Sequence, residues 1–318
     1  MLIKMQVGEQ DRGELQVNVT DSDNAPIRDA RVTISEPETA INPNSPIERL
    51  ETDVSGQTQI VDLNTPPLEY SLNDNIQIEA PGYETENISN VEILPDSLSL
   101  QDVRMRRREG EQVENIDIDP HTLYAEYPEK IPEDEIKDVN EPGEIVLSRV
   151  VIPEYVVVHN GTPSSNARDY YVTYKDYIKN VASSEIYATW PRATIEANVL
   201  AIMSFTLNRV YTEWYRNKGY DFTITSSTAY DQKWIYGRNI FQSIDEVVDE
   251  IFDQYLSRPD VRQPILTQYC DGKRVTCPNW LSQWGSCNLG EQGFGTLEII
   301  RNYYGDDMYI NTAEQISG

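Results

Sequence analysis

Between residues 13 and 106 apolar and polar positions alternate in short runs. Leu15, Val17 and Val19 form one set and Ala30, Val32 and Ile34 another, with the turn-forming DSDNAP between them. A period of two is that of a half-buried strand, so these runs predict a meander. LETDVSGQTQIVDL places Asp53 and Gly56 in a turn between further strands, and IQIEAPGY and LSLQDVRM complete the set. The expected fold over residues 1–108 is an all-β sandwich. Asp21, Asp23 and Asn24 share the first turn, but the other oxygen ligands of a calcium loop are missing, so a plain turn is expected.

Past residue 150 the period changes. EIVLSRVVIPEYVVVHNG is β-branched and marks the first strands of a second domain, 150–318. In YKDYIKNVASSEI, Ile178, Val181, Ala182 and Glu185 share one face at helical steps of three and four. Trp190 and Pro191 then open a long helix whose core face comprises Ile195, Val199, Ile202, Leu207, Val210 and Trp214. This half therefore reads as α+β and the whole chain as multidomain. Glu185 is an acid on an apolar stripe near a helix C-terminus, and both circumstances disfavour its charged form. A carboxyl kept neutral is what a general acid for glycosidic cleavage requires. An ordinary helix-end glutamate is the plainer reading of the same pattern.

Residues 109–149 separate the halves. Prolines at 120, 128, 132 and 142 forbid a long helix, and residues 109–144 carry 13 acids against two lysines. The segment is expected to be a linker or propeptide, either a solvated spacer or a cover laid across the following domain.

Charge and composition narrow the function. The 318 residues hold 53 acids and 26 bases, a net charge of -27, which argues against nucleic acid or an anionic bilayer as partner. No apolar run approaches the roughly 20 residues of a membrane span, and no secretory leader is recognisable at the N-terminus. Residues 1–149 account for 33 of the acids and 12 of the bases, whereas 16 of the 20 tyrosines and all five tryptophans follow residue 150. Such rings suit either a sugar face or a core. Cys270 and Cys277 are close enough to bridge across a turn, leaving Cys287 over; their spacing with it fits no ordinary zinc motif, and no metal or cofactor is expected. His121 and His159 are isolated and read as structural hydrogen-bonding residues.

Three ordered motifs add a resemblance. YIKNVASSEIYATWPRATIEANVLAIMSFTLNR, FTITSSTAYDQKWIYGRN and LSQWGSCNLGEQGFGTLEIIRNYYG resemble the signature of the stage II sporulation protein D family over about 140 residues. GELQVNVTDSDNAPIRDARVTIS, ETDVSGQTQI and IEAPGY resemble the carboxypeptidase regulatory-like, transthyretin-like sandwich. The combination of sandwich, acidic linker and this domain is similar to the clostridial spore cortex-lytic enzymes.

What the resemblance implies is a lytic transglycosylase acting on peptidoglycan glycan strands in the spore, at or outside the cortex, during germination. Glu185 matches the catalytic glutamate. It would protonate the glycosidic oxygen and then take the proton of the muramyl carbon-6 hydroxyl, leaving a 1,6-anhydro end. Tyr236, Gln283 and Trp284 match groove positions, with Ser226, Ser227 and Thr228 as hydroxyl partners. Maturation by a subtilisin-like protease is implied, and the change of composition at Arg149 and Val150 places the processing site there. The same relatives carry a C-terminal peptidoglycan-binding module, whereas this sequence stops soon after the third motif. Asn198, Met203, Phe205, Trp234 and Cys277 depart from the family's usual Gln, Arg, Tyr, Gln and His. Those departures keep open a non-catalytic, glycan-binding activator of a cell-wall amidase. An adhesin or pilus module would explain the sandwich but not residues 170–305.

Overall fold

The computed structural model describes residues 11–37, 45–65, 74–109, 113–123, 127–137 and 147–315. Among them the fold is mixed and β-rich, with six separate sheets and five α-helices. Two compact units emerge, Met1–Pro120 with Tyr236–Ser243, and His121–Ile235 with Ile244–Gly318.

Among the described residues nine strands build the first unit: β1 (Arg12–Asp21), β2 (Arg31–Ser35), β3 (Pro46–Glu51), β4 (Val61–Asn64), β5 (Asp74–Glu79), β6 (Thr85–Val91), β7 (Leu98–Met105), β8 (Val113–Asp117) and the short Ile240–Phe241. Leu15, Val17, Val19, Ala30, Val32 and Ile34 are all fully buried, as the alternation requires. The meander is not formed. β1 lies between β4 and β7, running parallel to β7, whereas β2 belongs to the other sheet, ordered β3-β2-β5-β6-β8. Alternation fixes which face of a strand is buried but not which neighbour it takes. The first turn is a plain one: the Asp21 carboxylate accepts from the backbone of Asp23 and Ala25, and Asn24 takes φ 63°. In the second turn Asp53 accepts from Ser55 N and Gln57 N, and Gly56 has φ 78°. A Cβ on Gly56 would stand 2.4 Å from the Val19 carbonyl oxygen, so only glycine fits there.

The segment read as a linker is divided between the units. Val113–Asp117 joins the five-stranded sheet as β8, parallel to β6. Its charge does not prevent this because the polar groups are matched: Glu114 pairs with Arg106, Asn115 accepts from Asn87, and Asp117 accepts from Asn90. The boundary falls at Pro120, and His121 onward packs in the second unit. Residues 110–112, 124–126 and 138–146 of that segment, with Pro142, lie outside the described residues, as do 1–10 and 316–318. Tyr236–Ser243 also belongs to the first unit. There Ile240–Phe241 pairs with β7, and Arg238 forms a buried ion pair with Glu92.

In the second unit Tyr155–His159 lies between Asp169–Thr173 and Ile224–Thr225. Helix α1 (Tyr174–Glu185) starts at Thr173, whose hydroxyl accepts from Asp176 N. Helix α2 (Arg192–Tyr211) follows Pro191, with α3 (Gln242–Ile251) after it in sequence, and is buried on nearly every side, packed against α1, against the strand Gln254–Ser257, and against α4 (Gln283–Glu291) and α5 (Thr296–Tyr304). α2 stops at Tyr211, short of Trp214: the Thr212 hydroxyl donates to the Asn208 carbonyl, and Glu213 turns to φ 46°. Among the described residues no helix is long and apolar enough to cross a membrane.

Candidate active site

Glu185 closes α1, and its side chain is completely buried. The chain leaves the helix in an extended conformation at Ile186, and no basic residue occupies the last turn. Glu185 therefore faces the negative end of the helix dipole as well as apolar surroundings. Its Oε1 accepts from the Lys233 backbone N–H at 2.7 Å, and its Oε2 from the Tyr269 hydroxyl at 2.5 Å. Burial pushes its carboxyl above the ordinary carboxylate range; Lys130, the Tyr269 bond and the Lys233 bond pull the other way without cancelling it.

Each donor is placed by its own scaffold. Gln232, beside Lys233, accepts from the Tyr177 hydroxyl (3.0 Å) and the Thr206 hydroxyl (2.8 Å), and donates to the Ile202 carbonyl. Two residues on, Ile235 exchanges hydrogen bonds with the Asn180 side chain in both directions. These anchors aim the Lys233 N–H at the end of α1. Tyr269 pairs with Leu281 in a short parallel bridge, and a disulfide joins Cys270 to Cys277, with a Cα–Cα distance of 5.6 Å. Cys287 is free and buried.

The bridge leads directly into α4, where Ser282 caps the helix and Gln283 and Trp284 are its first residues. Trp284 packs edge-on against Tyr187 (5.8 Å) and Trp190 (5.2 Å), two and five residues past Glu185, and Lys273 Nζ lies 3.1 Å from its ring centre. Gln283 is fully buried, and neither polar atom of its amide has a hydrogen-bond partner among the described residues. A buried amide in that state is an exception among native proteins.

Ser226 donates to Asn160, and the Ser227 carbonyl accepts from Tyr230 N and Asp231 N, so both serve the loop after Ile224–Thr225; Thr228 is buried in the same turn. Tyr236 falls in the first unit. At the junction expected to be processed, Arg149 is exposed and paired with Glu314, while Val150 is buried and its carbonyl accepts from Glu314 N. Both histidines have structural partners: His121 bonds the Ile186 carbonyl and stacks on Tyr187, and His159 bonds Asp169.

The residues that sequence reasoning missed come largely from the segment read as a linker. Thr122 donates through both N and Oγ1 to the Ser184 carbonyl at the end of α1. Lys130, buried, donates to the Asp231 carbonyl at 2.7 Å and lies 4.4 Å from the centre of the Tyr269 ring. The Tyr127 hydroxyl is buried without a partner among the described residues, and it is held un-ionised first by burial and then by the charges of Glu185 and Asp271. Proline spacing and charge gave no sign of these contacts.

No protein-family model matches the chain, and no curated protein does. Among solved structures it is similar to the Bacillus anthracis TIE protein (12% identity, 30% of this chain and 17% of that one, TM-score 0.23). It is also similar to Acinetobacter radioresistens catechol 1,2-dioxygenase (12% identity, 34% and 58%, TM-score 0.22). A third is a minor pilin of Streptococcus agalactiae (16% identity, 33% and 48%, TM-score 0.23). In every case the chain spans less than two thirds of the other protein, and at these TM-scores the likenesses carry no argument about fold or activity.

Proposed function

We propose that the chain is the precursor of a spore cortex-lytic enzyme of the SleC type, a lytic transglycosylase that cleaves peptidoglycan glycan strands to 1,6-anhydro-muramyl products. The observation that carries this reading is the state of Glu185, a fully buried carboxyl at a helix C-terminus, held by one hydroxyl and one backbone N–H and pushed toward its neutral form. In the proton-bearing form Glu185 gives its proton to the glycosidic oxygen as the bond breaks. The resulting carboxylate then takes the proton of the carbon-6 hydroxyl as that oxygen closes on carbon 1. Tyr269 and Lys233 stabilise the carboxylate between the two steps. One acid suffices, because the second nucleophile belongs to the sugar and no water has to be activated from the opposite face.

Trp284, half-buried and packed on the buried Tyr187 and Trp190, is the ring of this cluster with surface left for a sugar, and Gln283 beside it supplies an amide without a partner among the described residues. The precursor reading draws support from Lys130, whose ammonium lies on the ring of Tyr269, the donor to a Glu185 that solvent does not reach. Cleavage at Arg149–Val150 by a subtilisin-like protease would sever the covering segment from the rest of the second unit but leave its contacts in place. Activation therefore needs dissociation as well as a cut. The test is product analysis: spore cortex glycan treated with the full chain and with the chain cut at that junction and freed of residues 1–149 is expected to yield anhydro-muramyl ends only from the freed form. Equal yields would defeat the precursor reading, and an absence of such ends from both would defeat the enzyme reading.

A further inference from the structure

Residues 127–137 cross the second unit as a strap without helix or strand. Their inward side chains, Tyr127, Lys130 and Glu133, recur every third residue, with Pro128 and Pro132 on the outer side. Three residues per turn is the repeat of a polyproline II chain. The groove grips the main chain of this strap. Ile131 N donates to the Ala229 carbonyl (2.8 Å) and Leu266 N to the Glu135 carbonyl (2.9 Å). Gln268 accepts from Glu133 N (3.0 Å) and donates to the Ile131 carbonyl (2.9 Å). Gln263 accepts from Lys137 N (3.1 Å) and donates to the Lys137 carbonyl (2.9 Å).

None of these bonds depends on the strap's side chains, so the same amides would hold any extended peptide. Two carboxylates of the strap are matched by arginines, Glu135 by Arg258 and Glu133 by Arg209. Both oxygens of Glu133 receive hydrogen bonds from the two terminal nitrogens of Arg209, a fork that matches a carboxylate. The Arg209 side chain is fully buried and is held from behind by Asp231, so its position does not depend on Glu133. From Arg209 the groove continues past Lys130 to Tyr269 and hence to Glu185.

We propose that this groove is the binding site for the stem peptide of the glycan strand, an extended chain bearing carboxylates, and that the strap fills it in cis. The inference rests on the peptidoglycan reading and adds a second arm to its site: Arg209 receives a stem carboxylate, and Gln263 and Gln268 receive the peptide groups. Being tethered, the strap competes at the high effective concentration of an intramolecular ligand, so the intact chain binds stem peptide weakly.

The probe is the soluble tetrapeptide L-Ala–D-Glu–diaminopimelate–D-Ala, alongside a fluorescent peptide copying residues 127–137. In the full chain carrying Lys130→Ala, Glu133→Ala and Lys137→Ala, the fluorescent peptide is expected to bind about ten-fold or more tighter than to the wild type. The same peptide with Glu133→Gln should bind that variant about ten-fold more weakly than the unaltered peptide, and the tetrapeptide should displace it. Equal binding to variant and wild type, or no displacement, overturns the proposal. If the triple variant fails to fold, hydrogen exchange on the wild type decides. Millimolar tetrapeptide should speed exchange at the Glu133 and Lys137 amides, and unchanged exchange overturns it. Glycan cleavage without tetrapeptide binding would sink this inference alone, whereas tetrapeptide binding without cleavage would leave it standing and remove the enzyme reading.

Discussion

The hydroxyl of Tyr269 donates to Glu185 Oε2 across 84 residues of sequence, and the same ring carries Lys130 on its face. A single phenol thus touches both the proposed acid and a lysine of the segment 127–137. In Tyr269→Phe one oxygen of Glu185 loses its donor, and the carboxylate left after proton transfer is less stable. Turnover of the cut chain is expected to fall about ten-fold or more. Because the bond lowers the pKa of Glu185, its loss should also move the alkaline limb of the pH–rate profile upward. A limb that stays in place while the rate falls would point to a packing role only.

Glu185→Gln should fold normally. Its amide oxygen can accept from Lys233 N, and its NH2 can donate to the Tyr269 hydroxyl oxygen. Loss of the acid and base is expected to cost 100-fold or more in rate, on the order of 3 kcal/mol in barrier. Since the folded-state pKa of Glu185 is raised, its favourable contribution to stability is complete below the unfolded value and is lost as pH rises toward the folded one. The variant should therefore melt at or above the wild type at pH 8. A lower melting temperature there would show that the charged form stabilises the fold.

The first unit carries its own pH dependence. Burial, with a smaller contribution from Glu36, pushes Asp74 up to about 7. Burial, with Glu114 as the next cause, pushes Glu86 up to about 7 as well, and neither Glu86 oxygen has a partner among the described residues. Both groups bind protons more tightly folded than unfolded, so stability is full below about pH 4 and declines as pH rises to 7. Melting followed from pH 5 to pH 8 should show a falling midpoint, and Asp74→Asn with Glu86→Gln should flatten the fall. A midpoint that rises over this range would contradict the assignment.

Arg209 and Asp231 form a fully buried ion pair at 2.8 Å, and Asp231 also accepts from the Tyr215 hydroxyl and from both N and Oγ1 of Thr225. Asp231→Ala leaves the guanidinium with Glu133 and the Tyr230 carbonyl and is expected to cost about 3–5 kcal/mol in urea unfolding. Tyr215→Phe removes one of several bonds and should cost about 1 kcal/mol. Similar losses for the two would show that Tyr215, not the ion pair, carries the network.

Local pattern made the elements around the site legible. The period of 3.6 defined α1 through Glu185, Pro191 marked the start of α2, and the burial of Glu185 could be inferred from its place on an apolar stripe. Partners distant in sequence were not legible. Nothing about the lone Tyr269 announces a bond to Glu185, and alternation in β1 and β2 could not reveal that they lie in different sheets. The acidic segment misled because charge was read as unmatched. Glu133 is matched by Arg209 and Lys137, and Glu135 by Arg258, all distant in sequence or hidden in the core. Trp214 shows the opposite error, since a favourable apolar position was carried past a stop made by Thr212 and Glu213.

The central claim is that Glu185 breaks glycosidic bonds by intramolecular closure, and mass spectrometry of the glycan ends tests it most directly. Cortex glycan incubated with the chain cut at Arg149–Val150 and freed of the strap should yield muramyl ends one water lighter than hydrolysed ones, and Glu185→Gln treated identically should yield none. Reducing ends of full mass, equal anhydro product from Glu185→Gln, or glycan that is bound but left uncut would each contradict the account.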